Sequence, residues 1–238
     1  MGLDDVVGIL ENYRGREKTL RTLQYGLLFI TPAARHSPST KAVLEGISAQ
    51  IGGVRVILRL FDDLSMFQYS KAVLKQSKEK DWIVRWLEVA NIVVDQLFFP
   101  VEHLAWARDV KILRGSSSSL WHASLLLWAT SLVLTILRSL QKIFLLKQNN
   151  SRLQAEEKDR QEEKYEAELL TIIMHAADLL NALNWLPNRP WSKSFPVWQV
   201  RSQCTWRPWH LPFPLWQVGV FGLVSSLIGF QKLLQPRL

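Results

Sequence analysis

The sequence predicts an all-α, membrane-associated helical protein with N-terminal amphipathic helices and two candidate transmembrane helices. Two runs without a charged residue, 120–137 and 211–230, are the first observation behind this prediction. A helix needs about 20 mostly apolar residues to cross the hydrocarbon core of a bilayer, and the accepted range begins near 17. The second observation is the content of 11 tryptophans, because tryptophan concentrates at membrane–water interfaces.

Changes in composition and the positions of prolines and charges divide the chain into five regions. They are a helical, membrane-surface region at 1–115, a first transmembrane span at 116–146, a charged and then amphipathic helical loop at 147–187, a linker rich in Trp and Pro at 188–210, and a second transmembrane span at 211–234. Each apolar run alone could be a buried helix of a soluble protein. Two such runs in one chain favour the membrane.

Helical periodicity places further elements before the first span. Residues 3–30 are predicted to form a first helix that Pro32 stops. Asp81 is a plausible N-cap for a helix at 82–99. Pro100 is predicted to interrupt that helix and to leave a short helix at 101–110.

The segment at 41–76 has the clearest amphipathic pattern, with one broad apolar arc bordered by Arg55 and Arg59. The arc consists of Ile47, Ile51, Val54, Ile57, Leu58, Phe61 and Leu64. Such a helix can lie in the headgroup plane, where arginines meet lipid phosphates. Alternatively, it is the core helix of a small bundle, with its arginines paired to Asp63 at i,i+4 spacing. The pattern alone favours the bundle.

The net charge and the cysteine content limit the functions that the chain can have. The formal net charge of +8 favours anionic surfaces, but no stacked basic and aromatic motif or zinc-finger spacing accompanies it, so no nucleic-acid partner is predicted. The single cysteine, Cys204, excludes an intramolecular disulfide.

No constellation of catalytic residues is present. The chain has no Walker loop, GxGxxG, HExxH or GxSxG motif. Asp62 and Asp63 are adjacent on a predicted helix and therefore do not converge on one substrate. We predict no catalytic residue and no cofactor, and hence a protein that is not an enzyme.

Two histidines have an acidic neighbour. His175 and Asp178 lie three residues apart on one helix face, a spacing that could bind a metal, but two ligands without a third favour a polar pair. Glu102 and His103 are adjacent and face different ways, so we interpret them as interface or capping residues. No metal site is predicted.

A short repeat occurs within the Trp- and Pro-rich region. FPVWQV at 195–200 returns as FPLWQV at 213–218. One such repeat does not make a solenoid, and we interpret 195–212 as a local duplication or an alternative exon boundary.

Four motifs together resemble the peroxin-11 family, most closely its gamma type. They are YRGRE from Tyr13, LRLFDDLSMFQY from Leu58, DQLFFPVEHLAWARD from Asp95 and ADLLNALNWLP from Ala177. They occur in collinear order over nearly the whole chain, and residues 195–212 are the main departure. The resemblance implies a peroxisomal membrane protein that elongates and divides peroxisomes.

The resemblance also implies a mechanism. An N-terminal amphipathic helix inserts into the membrane and curves it, and the positions that match are 54–61. On this basis we favour the membrane-surface alternative, with the seven residues of the arc inserted and Arg55 and Arg59 toward anionic headgroups. The implied partners are membrane lipids, further copies of the chain and its paralogues, and a dynamin-related fission GTPase recruited through tail-anchored adaptors.

The implied topology conflicts with the distribution of basic residues. The resemblance implies a multi-pass protein with both termini in the cytosol, and two spans would place both termini on one side. The basic residues near the span ends, however, lie slightly more in the loop between the spans, which the positive-inside rule would place in the cytosol. Two other functions remain open: a membrane-anchored adaptor without remodelling activity, and a metabolite pore of the peroxisomal membrane.

Overall fold

The computed structural model describes residues 2–34, 36–76, 81–149, 155–186 and 214–234. These residues form helices and short connections, with no strand among them, which confirms the all-α prediction. The predicted linker at 188–210, the segment 195–212 with its short repeat, and Cys204 lie outside the described residues.

Eight α-helices occur in the described part of the chain. They are α1 (Leu3–Glu11), α2 (Tyr13–Ile30), α3 (Pro38–Arg59), α4 (Asp62–Gln76), α5 (Trp82–Asp109), α6 (Ser118–Asn149), α7 (Ala155–Trp185) and α8 (Leu215–Leu234). A short 3-10 turn at Thr31–Ala34 follows α2.

Side-chain caps explain several helix starts. The Asp81 carboxylate accepts a hydrogen bond from the Val84 amide at 2.9 Å, which confirms the predicted cap of α5. The single helix predicted over 3–30 is wrong, because the Asn12 side chain accepts a hydrogen bond from the Arg14 amide at 2.9 Å and begins α2 there.

The amphipathic segment at 41–76 is also divided. At the end of α3 the amides of Leu60 and Phe61 donate to the carbonyls three residues back, at 3.1 and 3.2 Å, so the last turn tightens and the α-helix stops. Asp62 and Asp63 then begin α4, where negative charge is favoured by the helix dipole.

Pro100 does not interrupt α5, so the two helices predicted over 82–99 and 101–110 are one. A proline inside a helix removes one backbone hydrogen bond and costs about 3 kcal/mol. Its ring lies on an exposed side of α5, and α5 packs extensively against α6. This tertiary packing stabilises the helix across the proline.

The two helices predicted to be transmembrane are long and apolar enough to cross a membrane. Residues 118–148 of α6 reach a mean hydropathy of 1.7, and α8 reaches 1.3. α6 packs between α5 and α7, α7 also packs against α8, and α8 packs against α2. α3 lies on α2, and α4 lies on α5.

The interior of this bundle holds small and polar side chains, and much of its surface is apolar. Ser139, Asn181 and Ser226 are completely buried, whereas large apolar residues such as Phe144 and Leu227 are more than half exposed. Membrane helices associate in this way, because lipid chains solvate leucine as well as a neighbouring helix does. The arrangement therefore supports a protein that lies in a membrane.

The small residues of α8 lie in its interface with α2. Gly219, Gly222, Ser225, Ser226 and Gly229 are all buried. Cβ atoms added at Gly219 and Gly222 would overlap α2 at Phe29 and Tyr25. These small residues therefore permit a close approach of α8 to α2.

Candidate membrane-contact surface

An exposed apolar stripe runs along α3 and across the start of α4. We define the apolar stripe as Ile47, Val54, Ile57, Phe61 and Leu64. Its first three members are nearly half exposed, and Phe61 and Leu64 at the junction of the helices are 76% and 82% exposed. The two other residues of the predicted arc, Ile51 and Leu58, are half-buried.

The opposite side of α3 is docked onto α2 through small and polar residues. Ser48 is buried, and its hydroxyl donates to the Gln24 carbonyl at 3.1 Å. A Cβ at Gly52 would lie 2.9 Å from the Gln24 side-chain nitrogen, so glycine permits this close approach. Amphipathic helices of soluble proteins bury their apolar side. In α3 the polar side is buried against α2, and the side that carries the apolar stripe is exposed.

Arg55 contributes to this docking through a pair with α2. Its Nη2 lies 2.9 Å from Oε1 of Glu17, and its Nη1 donates to the Gln24 side-chain oxygen at 2.7 Å. Burial raises the pKa of Glu17, but the charges of Arg55, Lys18 and Arg21 together outweigh burial and hold that pKa below its usual value. The carboxylate therefore stays ionised and keeps α3 attached to α2.

Arg59 makes a two-bond pair with α5. Its Nε and Nη2 donate to the two carboxylate oxygens of Glu102 at 2.8 and 2.6 Å, and Glu102 is only 3% exposed. His103 lies 3.0 Å from the Asp63 carboxylate and 3.3 Å from the Arg59 carbonyl. The interface role predicted for Glu102 and His103 is confirmed. The pairing with Asp63 that belonged to the bundle alternative does not form at Arg59, which binds Glu102 instead.

These pairs bear on the headgroup role expected of Arg55 and Arg59. Both guanidinium groups point into the protein and are held by carboxylates. A lipid phosphate would have to displace Glu17 or Glu102 to reach them. The headgroup role stays a prediction, and it requires the pairs to open.

A third pair joins α2, α7 and α8. Arg21 forms an ion pair with Asp178, and the same guanidinium nitrogen donates to the Ser225 hydroxyl at 2.8 Å. His175 instead contacts the Thr171 carbonyl at 2.8 Å. Asp178 thus serves helix packing, and within the described residues no group of three His, Cys, Asp or Glu could hold a metal ion.

None of these distant pairs was predicted from the sequence. Glu17, Gln24 and Glu102 lie in other helices from the arginines that they bind. The sequence offered one signal, the acidic Glu102 among the apolar residues at 97–106, since a charged group is paired when it is buried.

Comparisons with known proteins agree with the architecture. A family model described as Peroxisomal biogenesis factor 11 (PEX11) matches residues 3–234. The chain is 35% identical to Peroxisomal membrane protein 11C of Homo sapiens, over 97% of this chain and 93% of that protein. It is 34% identical to Peroxisomal membrane protein 11C of Mus musculus, over 95% of this chain and 92% of that protein. No solved structure gives a significant match.

Proposed function

The chain belongs to the peroxisomal biogenesis factor 11 family, and on that premise we propose that it is a peroxisomal membrane protein that promotes elongation, proliferation and fission of peroxisomes. The family is described as a biogenesis factor and not as an enzyme. Its human and mouse relatives are named as peroxisomal membrane proteins. The two helices of span length, α6 and α8, support a membrane location.

The observation that carries the remodelling role is the apolar stripe. Moving one large apolar side chain from water into an apolar medium contributes about 1.5–3 kcal/mol. The stripe offers five such side chains on a surface whose other side is fixed to the bundle. Inserted into one leaflet, it expands that leaflet relative to the other, and curvature follows.

The partners follow from this mechanism. Many copies must act together to tubulate a membrane, so we include self-association and association with paralogues in the proposal. The net charge of +8 favours anionic lipid. Fission of the elongated membrane would then use a dynamin-related GTPase recruited through tail-anchored adaptors.

Replacing the centre of the apolar stripe tests the proposal. In cells that express the full chain, we expect peroxisomes to become longer and more numerous. The triple variant Val54→Ser, Ile57→Ser, Phe61→Ser should still reach peroxisomes but should leave their length and number as in untransfected cells, because the inserted apolar surface is lost. The measurement is peroxisome length and number by fluorescence microscopy.

The matched control replaces the same three positions by leucine. The variant Val54→Leu, Ile57→Leu, Phe61→Leu keeps the stripe apolar and should elongate peroxisomes as the unchanged chain does. Full elongation by a correctly targeted serine variant would overturn the role of the apolar stripe and assign the activity to the spans or the charged helix. No elongation by the correctly targeted unchanged chain would favour a membrane-anchored adaptor. Absence of the unchanged chain from peroxisomes would overturn the proposed location.

A further inference from the structure

α6 and α7 pack side by side in opposite directions. The rings of Trp128 and Trp185 stack with their centroids 6.0 Å apart. Toward the other end of the pair, Lys142 lies 3.6 Å from the Glu168 carboxylate. As the residue number rises along α6, it falls along α7, so the helices are antiparallel.

α7 and α8 are antiparallel as well. The Lys232 ammonium donates to the Ala167 carbonyl at 3.1 Å. One nitrogen of Arg21 contacts both Asp178 in α7 and Ser225 in α8, which places these two residues at one level. Because α6 and α8 both oppose α7, they run parallel to each other.

Two parallel membrane spans require an odd number of crossings between them. We propose that α7 supplies this crossing, so that its residues 169–185 traverse the bilayer between α6 and α8 and present an apolar face to the acyl chains. The inference rests on the membrane location proposed above. It replaces the expected loop at 147–187, which would lie wholly on one side.

The length and the outer face of this part of α7 suit a bilayer. Residues 169–185 form about 17 helical residues, the lower limit for a span, and they contain no Lys, Arg or Glu and a single Asp, Asp178. Leu169, Ile173 and Leu183 are each more than 40% exposed. These large apolar side chains recur at helical spacing on one side of α7.

The inner face of α7 holds its polar groups. Asp178, Asn181 and Asn184 are at most 6% exposed. Asp178, the charged group, is neutralised by Arg21, whose side chain is also largely buried. Intramembrane polar residues face the interior of a bundle in this way, and charged ones are paired.

This crossing also determines which basic residues share a face of the membrane. Arg138, Lys142 and Lys147 lie toward the end of α6, and Lys232 lies toward the end of α8. With parallel α6 and α8 these four residues share one face of the membrane. The segments before α6 and before α8 also carry basic residues, so the positive-inside rule favours neither face. The cytosolic C-terminus that the family resemblance implies places the face with the end of α8 in the cytosol. A cytosolic N-terminus then requires the chain before residue 116 to cross as well.

Cysteine labelling of the full chain in intact peroxisomes tests the proposal. In a Cys204→Ser background, single cysteines replace Lys158 at the start of α7 or Pro214 before α8, both of which are exposed. A polyethylene glycol maleimide too large to cross the membrane is applied before and after permeabilisation. We expect the cysteine at 158 to react in intact organelles and the cysteine at 214 to react only after permeabilisation.

Two reference positions fix the comparison. Gln148→Cys should label as Lys158→Cys does, and Ser116→Cys should label as Pro214→Cys does. Equal labelling at 158 and 214, with only 116 differing, is the pattern of a simple two-span hairpin and would overturn the crossing. Alkaline carbonate extraction distinguishes failure of the α7 crossing from failure of the membrane location. A chain that resists extraction but labels as a hairpin retains its membrane location, whereas an extracted chain contradicts both that location and the crossing.

Discussion

Replacing Arg59 by methionine is expected to lower the stability of the full chain by about 3–5 kcal/mol, the usual cost of removing one partner from a buried ion pair. Glu102, which is 3% exposed, would lose the two hydrogen bonds that Arg59 now donates at 2.8 and 2.6 Å. The measurement is the thermal or denaturant midpoint of the purified full chain in detergent, scored by circular dichroism.

Two further variants serve as controls for this prediction. The double variant Arg59→Met, Glu102→Leu should regain most of the stability, because it removes both charges and leaves apolar groups of similar size. Lys41→Met removes an exposed cation 3.9 Å from Glu45 and should cost less than about 1 kcal/mol. An Arg59→Met protein that is as stable as the unchanged chain but binds anionic vesicles more weakly would contradict a packing role and restore the headgroup role.

Local patterns were enough to predict some of the helices of this fold. The charge-free runs predicted α6 and α8, because their length and apolarity depend only on neighbouring residues. The Asp81 cap was predicted because a cap acts within three residues. Pro100 misled the prediction because local propensity was weighed without the packing of α5 against α6.

The candidate surface was only partly predictable. Periodicity identified the apolar arc of α3 but not the side that packs against the protein. That choice depends on Glu17 and Glu102, which bind Arg55 and Arg59 from helices distant in sequence. The antiparallel direction of α7 relative to α6 and α8 could not be predicted from local patterns either. The contacts that show it, of Trp185 with α6 and of Lys232 with α7, join segments distant in sequence.

Replacing Gly219 by alanine is expected to separate α8 from α2. The added Cβ would lie 2.5 Å from the backbone nitrogen of Phe29, and a backbone atom cannot rotate aside as a flexible side chain can. Overpacking of this kind costs about 1–3 kcal/mol. A Cβ at Gly26 would lie 3.9 Å from Cδ2 of Leu223 across this interface, so cross-linking of cysteines at these two positions reports the separation. In a Cys204→Ser background, their oxidative cross-linking should fall in the Gly219→Ala variant.

The same substitution at Gly53 is the matched control for this interface. A Cβ there meets no atom within 4 Å, so Gly53→Ala should leave the cross-link intact and should stabilise α3 by up to about 1 kcal/mol through its better helix propensity. If Gly219→Ala cross-links as efficiently as Gly53→Ala, then α2 and α8 do not depend on backbone contact at this position. The small residues of α8 would then reflect a tolerance for small side chains, and the packing of α2 on the second span would have to come from the Arg21 contacts with Asp178 and Ser225.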